Sequence, residues 1–273
     1  MATLSPPKFG LASLLCLLAW LPGAAIADDD AHFLPFMGPR LEAARYSPAN
    51  EEFAWVGWIG ATVDLVEKGK WSVYFDPNVE TILGHRVRSF EAVQANYSLE
   101  VGLRRDVGRG RLATFFHHVS RHDQDREKYQ AVDWNFLGLA YDSPWPKSWG
   151  RRGAYSMSVG FTTLSSGVDY NWEGRAAIDI DVVRKESQAL FVLADARFVG
   201  ANPSPGFPRS SFADFRAEAG FRRFQTSSQF ALFVAYEHRN DAAIPRSLVI
   251  DRALFGFRIR GQRRSSPAIL PLP

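Results

Sequence analysis

The sequence predicts an all-β fold, a transmembrane antiparallel β-barrel of about twelve strands, from three observations. Apolar and polar residues alternate over long stretches, as they do in a strand with one apolar and one polar face. After the first 27 residues, no segment approaches the ~20 consecutive apolar residues that a membrane helix requires. Aromatic residues make up 14% of the chain, in keeping with the aromatic girdles of outer-membrane barrels.

Residues 1–27 are predicted to be a secretory signal peptide that is cleaved from the mature protein. Lys8 supplies a positive charge, residues 11–21 form an apolar segment, and Ala25-Ile26-Ala27 is a small-residue cleavage site. The apolar segment is too short to span a bilayer. We therefore expect export to the bacterial outer membrane, a barrel over 28–260, and a Pro-rich C-terminal tail over 261–273.

Composition makes several kinds of function improbable for the exported chain. The single cysteine, Cys16, lies inside the signal segment, so the mature protein has neither a disulfide nor a thiol nucleophile. Leu15 precedes Cys16, where a lipoprotein signal would need a small residue. The formal net charge is only +3, and arginines are spread along the chain, which gives nucleic-acid binding little support.

The alternation is clearest in 93–104, 170–182 and 213–222, where apolar residues hold nearly every second position. Runs of ten or more residues are long enough for a tilted strand to cross a bilayer. The candidate strands are 41–47, 53–66, 71–83, 90–105, 111–122, 131–142, 153–164, 170–184, 188–199, 212–224, 229–239 and 248–260. The first and third are the weakest, since Pro77 in the third cannot donate to a ladder, so ten strands are the alternative.

Connection lengths indicate the orientation of the barrel. Segments 67–70, 106–110, 185–187 and 225–228 are tight turns, and the longer connections 123–130, 200–211 and 240–247 fall between them. Short turns of such barrels face the periplasm and long loops face the exterior. Aromatic residues near strand ends are expected in interfacial girdles: Trp55, Trp58, Trp71, Tyr74, Trp134, Tyr141, Tyr155, Tyr170, Trp172 and Tyr236.

Five polar residues gather at the predicted external end of the fifth and sixth strands: His118, Ser120, His122, Asp133 and Asn135. Residues two apart share a face of a strand, so the first three share one face and the last two share another. Symmetric closure of the hairpin would set Ser120 opposite Asn135 and His122 opposite Asp133. Alternation in the fifth strand does not decide whether this face meets lipid or lumen.

The neighbouring residues give partial evidence on that point. Leu137, Leu139 and Tyr141 share the face of Asn135 and favour a lipid-facing orientation. His117 is expected on the opposite face, at the membrane interface.

The cluster resembles two families of outer-membrane barrels. His118-Val119-Ser120 has the His-x-Ser spacing of outer-membrane phospholipase A and the lipid A 3-O-deacylases, although Arg121 stands where phospholipase A has Asn. That resemblance implies Ser120 as nucleophile, His118 as base, Asn135 or Asp133 as the group that orients the imidazole, and calcium as a cofactor. The longer run His118–Asp125 is similar to the His-x-Ser-x-His motif of uncharacterised outer-membrane barrels, which implies a fold but no activity.

The sequence favours a non-enzymatic outer-membrane barrel, structural or narrow-pore, whose lumen is filled by ion pairs. The charged residues expected to line that lumen are Asp179, Asp181, Asp195, Arg197, Asp214, Arg216, Glu218, Arg222, Glu237 and Arg239. The alternative is a lipid hydrolase that uses Ser120. A zinc or calcium site on His118, His122 and Asp133 is third, because residues i and i+4 of a strand are about 13 Å apart.

The expected partners follow from this location. They are outer-membrane lipids and the outer-membrane assembly machinery, which in many barrels reads a terminal aromatic residue; Phe257 would be the nearest equivalent. No nucleic acid is expected, no cofactor is expected for a non-enzymatic barrel, and the oligomeric state stays open.

Overall fold

The structure is a computed structural model that describes residues 31–123, 132–146, 148, 150, 152–204, 208–243 and 248–261. The predicted signal peptide and tail residues 262–273 lie outside this part of the chain. The described residues form strands β1 His32–Ser47, β2 Trp55–Lys68, β3 Trp71–Gly84, β4 Glu91–Val107, β5 Gly110–Asp123, β6 Val132–Pro144, β7 Arg152–Ser166, β8 Tyr170–Lys185, β9 Gln188–Ala201, β10 Ser211–Phe224, β11 Ser228–Arg239 and β12 Ile250–Gly261. No helix in the same ranges is long and apolar enough to span a membrane.

The strands form one closed antiparallel barrel. Each strand pairs with its neighbours in sequence, and β1 also pairs with β12 from Arg40–Arg260 to Ser47–Ala253. Closure pairs the backbone groups of every strand and leaves no open edge, which a bilayer requires. The predicted twelve-stranded barrel is confirmed, and the ten-strand alternative is wrong.

Alternation along each strand separates an apolar outer wall from a polar interior. In β11, Leu232, Val234 and Tyr236 are exposed, whereas Glu237 and Arg239 on the other face are buried. An apolar wall around a charged interior is the inverse of a soluble barrel and suits a lipid environment. The chain is therefore a transmembrane β-barrel of the outer-membrane type.

The two ends of the barrel differ in their connections. At one end β2–β3, β4–β5, β8–β9 and β10–β11 are joined by two or three residues, while 145–151 join β6 to β7. At the opposite end the connections include 85–90, 202–210 and 240–249. We name these the short-turn end and the long-loop end, which by the usual rule for such barrels face the periplasm and the exterior.

Two predicted strands differ from expectation in extent or regularity. β1 begins at His32 rather than at residue 41, and β3 is a full member of the sheet although it contains Pro77. Ladder partners of β2 and β3 skip from Gly60–Asn78 to Val63–Phe75, so the interruption coincides with the proline that lacks an N–H. The barrel tolerates this local gap because β3 pairs continuously with β4 on its other side at the same level.

Several buried ion pairs lie inside the barrel. The Glu42 carboxylate accepts a hydrogen bond from Arg216 at 2.7 Å and also pairs with Arg258. Glu80 accepts two hydrogen bonds from Arg239, at 2.6 and 2.8 Å. Because these side chains are almost fully buried, removing one partner would leave an uncompensated charge away from water.

Several of the predicted girdle aromatics lie inside the barrel instead. Trp58, Tyr74, Trp134 and Tyr170 are each no more than 2% exposed and belong to the lumen packing. They lie near strand ends as predicted, but the alternation places them on the inner face. There arginines cover their rings; the guanidinium carbon of Arg104, for example, lies 3.4 Å from the Tyr74 ring centroid. Trp71 and Trp172 are outward and fit the girdle assignment.

The turn after β11 covers the lumen at the long-loop end. Asp241 is fully buried, and its carboxylate accepts hydrogen bonds from the Tyr170 hydroxyl at 2.6 Å and from Arg209. Its carbonyl accepts a hydrogen bond from Arg121. We call Asp241 with Tyr170, Arg209 and Arg121 the latch, because it ties this turn to three other parts of the barrel.

Candidate functional site

The β5–β6 hairpin pairs in a different register from the symmetric one. His118 lies opposite Asn135 and Ser120 lies opposite Asp133, so the predicted pairs Ser120–Asn135 and His122–Asp133 are wrong. The two registers differ by two residues and keep every side chain on the same face, so the hydrophobic pattern does not distinguish them. In the observed register β5 extends to Asp123, while β6 begins only at Val132.

The polar cluster faces outward. Arg121, between Ser120 and His122, points into the lumen, where its guanidinium lies 5.2 Å from the Trp134 ring centroid. Since neighbouring residues of a strand point to opposite faces, Ser120 and His122 point away from the lumen. Ser120 also pairs with Tyr97 of β4, which is 41% exposed on the outer wall.

The cluster sits at the boundary between apolar and polar rows of the wall. Nearest the middle of the barrel is an apolar row: Val101, Phe116, Leu137 and Phe161. The next row toward the long-loop end mixes the two kinds: Leu99, His118, Asn135 and Leu164. The following row is polar: Tyr97, Ser120, Asp133 and Ser166. The site therefore lies where the outer wall changes from apolar to polar side chains.

His118 is held by a residue on the next strand. Its Nδ1 atom is 2.6 Å from Oδ1 of Asn135, directly across the β5–β6 ladder. An amide oxygen only accepts, so Nδ1 carries the proton and Nε2 is left as an acceptor. Asn135 thus fixes one tautomer of His118.

Ser120 forms a hydrogen bond with His122 rather than with His118, the predicted partner. Its Oγ atom is 2.7 Å from Nε2 of His122, and the ring of His122 packs edge-on against Tyr97 with centroids 5.3 Å apart. The hydroxyl can donate to Nε2 when the proton of this imidazole is on Nδ1. The signal for His122 was its place in the His-x-Ser-x-His run, two residues from Ser120 on the same face.

The structure brings all four predicted site residues together on one outward patch. Asp133 stands across the ladder from Ser120, although its side chain makes no hydrogen bond to Ser120 or to the two histidines among the described contacts. Within the described ranges there is no group of three or more His, Cys, Asp or Glu side chains that could hold a metal ion. The imidazoles of His118 and His122 instead form hydrogen bonds with Asn135 and Ser120, respectively.

His117 occupies the opposite face from this patch, but not at an interface. It is buried in the lumen, and its Nε2 atom is 2.8 Å from Oγ of Ser98. The expected interfacial position was wrong because the lumen is filled at that level by side chains of neighbouring strands.

A second outward histidine lies on β11, near the same long-loop end. Nδ1 of His238 is 2.7 Å from Oδ1 of Asp251 on β12, which also accepts a hydrogen bond from the Tyr236 hydroxyl at 2.8 Å. The His238 ring stacks on Phe215 at 5.2 Å between centroids. This His238 cluster was not identified from the sequence.

Comparison with known proteins adds little beyond the barrel itself. No family model and no curated protein matches the chain. Solved structures with detectable similarity include CdiB from Acinetobacter baumannii (11% identity, 82% of this chain, 60% of that chain, TM-score 0.39). The translocator domain of autotransporter NalP from Neisseria meningitidis gives 12% identity, 84% and 89% coverage and a TM-score of 0.37. The CymD monoaromatic hydrocarbon channel gives 8% identity, coverage of 94% of each chain and a TM-score of 0.39.

These low identities and TM-scores support no inference about activity. The chain spans 60% of the length of CdiB. The fold assignment above rests on strand pairing and on the outer wall.

Proposed function

We propose that the chain is a lipid hydrolase of the outer membrane that acts on esters at its outer wall. The observation that supports this most strongly is the outward orientation of Ser120 with its hydroxyl 2.7 Å from Nε2 of His122. Polar side chains on a lipid-facing wall cost free energy, so this patch needs a reason to be there. Ester groups of membrane lipids lie at the boundary between acyl chains and headgroups, which is the level of this patch.

Ser120 would act as the nucleophile. Its Oγ forms a bond to the ester carbonyl carbon while its proton passes to Nε2 of His122. The imidazolium then returns this proton to the leaving alcohol oxygen as the carbon–oxygen bond breaks. Water attacks the acyl-serine by the same route and releases the fatty acid, which restores Ser120 and His122.

His118, Asn135 and Asp133 would support this reaction from adjacent positions. We assign the transferred proton to His122 and a positioning role to the His118–Asn135 pair, which presents a second unprotonated Nε2 on the same face. Asp133, across the ladder from Ser120, would favour the imidazolium that forms during the reaction, because an opposite charge nearby stabilises the protonated ring.

The test is release of fatty acid by the refolded full-length protein in detergent micelles. Phospholipid and lipid A are offered separately, with calcium and with a chelator, because the resemblance to phospholipase A implies calcium dependence. We expect Ser120→Ala to remove release from the preferred substrate. Ser211→Ala, a serine on the exposed end of β10, is the matched control and should leave release unchanged.

Two results would end this proposal: no release from either lipid by folded protein, or release that survives Ser120→Ala. The preferred substrate would identify the hydrolase type. Folding is followed in every variant by circular dichroism and by heat-dependent mobility on gels.

A second candidate, a structural or narrow-pore barrel with an ion-paired lumen, is favoured by the cavity in the short-turn half of the lumen. That cavity measures about 210 Å³. Charged rings of the kind that surround it set selectivity in known pores. Single-channel recording in planar bilayers is the test, and silent bilayers with verified insertion would exclude an open pore.

We also propose that the chain reaches the outer membrane by export and signal cleavage, followed by insertion through the assembly machinery. N-terminal sequencing of the protein from outer-membrane fractions should then begin at Asp28. A mature protein that retains residues 1–27 would contradict this.

A further inference from the structure

A cavity of about 210 Å³ lies in the short-turn half of the lumen. Side chains of nearly every strand line it, among them Arg260 of β12, Arg40 of β1 and Asp76 of β3. At the other end the lumen is covered by the latch turn at Asp241, so a solute would enter from the short-turn end. The space holds several waters or one small solute, since a single water needs about 10–15 Å³.

Arg260 is the unusual charge of this cavity. It is 6% exposed, and neither its Nε nor its Nη1 atom has a hydrogen-bond partner among the described residues. Among the charged groups that act most strongly on it are three arginines, Arg258, Arg40 and Arg222, and one carboxylate, Asp179. A buried guanidinium in such surroundings is costly unless something neutralises it.

Three acidic side chains of the cavity have arginine partners. Arg104 pairs with Asp64 and Asp76, each at 3.4 Å. Arg111 pairs with Asp142 at 3.1 Å. These carboxylates therefore pair with arginines other than Arg260.

Two other acids of the lining have partners as well. Glu173 pairs with Arg175 at 2.5 Å, and Glu100 accepts a hydrogen bond from the Tyr74 hydroxyl at 2.7 Å. Within the described part of the chain, Arg260 is left as a donor facing open space without an acceptor.

We propose that the cavity binds a small oxyanion, a carboxylate or a phosphate, on the Nε and Nη1 atoms of Arg260. Both atoms carry N–H donors of a permanently charged guanidinium, and the oxygens of a carboxylate or phosphate are the acceptors that such donors bind most strongly. The anion would neutralise a charge that the chain itself leaves uncompensated. This site lies inside the barrel, whereas Ser120 lies on the outer wall. Failure of one proposal would therefore leave the other unaffected.

Binding is measured by calorimetric titration of the full-length barrel in micelles with sodium phosphate and, separately, sodium succinate at constant ionic strength. We expect saturable binding of at least one of these anions. Arg260→Gln should weaken it at least about tenfold, the size expected for a lost hydrogen bond to a charged group. Arg260→Lys should keep part of the affinity. Arg223 is an exposed arginine of β10 at the same short-turn end of the barrel, and the Arg223→Gln variant should bind the anions like the unaltered protein.

Unfolding without added oxyanion separates a ligand site from a structural role. Arg260→Gln should be at least as stable as the unaltered protein, because it removes an unpaired buried charge. Arg258→Gln, which breaks pairs with Glu42 and Glu218, should be clearly less stable. Equal binding by Arg260→Gln, no binding of either anion, or a loss of stability in Arg260→Gln as large as in Arg258→Gln would overturn the proposal.

Discussion

Two outward histidine clusters near the same end of the barrel differ in what surrounds the imidazole. In both, an oxygen on the next strand fixes Nδ1, at 2.6 Å from Asn135 for His118 and 2.7 Å from Asp251 for His238. The β5–β6 patch adds an aliphatic hydroxyl bonded to a second imidazole. Around His238 the chain instead offers an aromatic ring and a phenol.

The environment of His238 also engages its second nitrogen. Nδ2 of Asn240 lies 3.3 Å from Nε2 of His238, and the Tyr236 hydroxyl donates to Asp251 rather than to the imidazole. An oriented imidazole on the outer wall is thus not by itself a reactive site. What sets the β5–β6 patch apart is an acceptor nitrogen already facing a serine hydroxyl.

The largest effect that sharpens this comparison is expected at His122. His122→Ala should lower the rate of fatty-acid release by roughly 10²–10⁴-fold, the usual contribution of general-base catalysis. His118→Ala, which keeps the Ser120–His122 pair, should cost less. The measurement is initial rate on the preferred lipid for both variants; the reverse order would assign the base to His118 instead.

A smaller effect is expected at Asn135. Asn135→Ala removes one hydrogen bond to His118, worth about 1 kcal/mol, which corresponds to roughly a fivefold change in rate. The loss should appear in kcat rather than in KM, because the residue positions an imidazole and does not hold the lipid. Asn135→Asp keeps an acceptor oxygen and should restore most of the rate, which a merely structural role would not require.

No loss of activity is expected from the second cluster. His238→Ala and Asp251→Asn should each keep fatty-acid release within about twofold of the unaltered protein, as surface substitutions away from a site usually do. Assays run beside His122→Ala provide the comparison. A large loss in either variant would mean that both clusters belong to one function.

The smallest effect is expected from acid, which should act on the latch at the long-loop end of the lumen. Burial alone would raise the pKa of Asp241, but hydrogen bonds from Arg209 and Tyr170 outweigh it and hold this pKa below its ordinary value. A carboxylate with a lowered pKa stabilises the fold above its unfolded pKa near ~3.9 and loses this contribution as the pH falls through the folded value. The latch should therefore hold at neutral pH and loosen only in acid.

Hydrogen exchange at the Ala242 amide, which donates to the carbonyl of Leu248 at 2.8 Å, reports on the latch. Protection should be constant from neutral pH to about 4 and fall below that, after correction for intrinsic exchange. In Asp241→Asn this acid dependence should disappear. An unchanged acid dependence in Asp241→Asn would assign it to other groups.

The alternation of the sequence predicted about twelve strands, their antiparallel order and the two faces of most of them. It did so because a transmembrane strand must present apolar side chains to lipid at every second position, over a length set by the bilayer. β8 and β9 are examples: their predicted spans differ from the observed strands by at most two residues at either end. Tight turns and long loops likewise predicted which end of the barrel carries which connection.

Position along a strand did not reveal what occupies each face of a crowded barrel. Trp58 and Tyr74 looked interfacial, yet they fill the lumen beneath arginines. His117 looked interfacial and is buried against Ser98. Aromatic and imidazole rings suit either environment, so only the packing of neighbouring strands decides between them.

The sequence alone grouped His118, Ser120, His122, Asp133 and Asn135 near one end of a hairpin, because period two and chain order are enough for that. The register, the direction of the face and the partner of the Ser120 hydroxyl were decided only in the closed barrel. Two registers two residues apart satisfy the same pattern, so the alternation does not choose between them. The closed barrel places the Arg121 side chain in the lumen, where it donates to the Asp241 carbonyl, and Ser120 and His122 on either side of it therefore point outward.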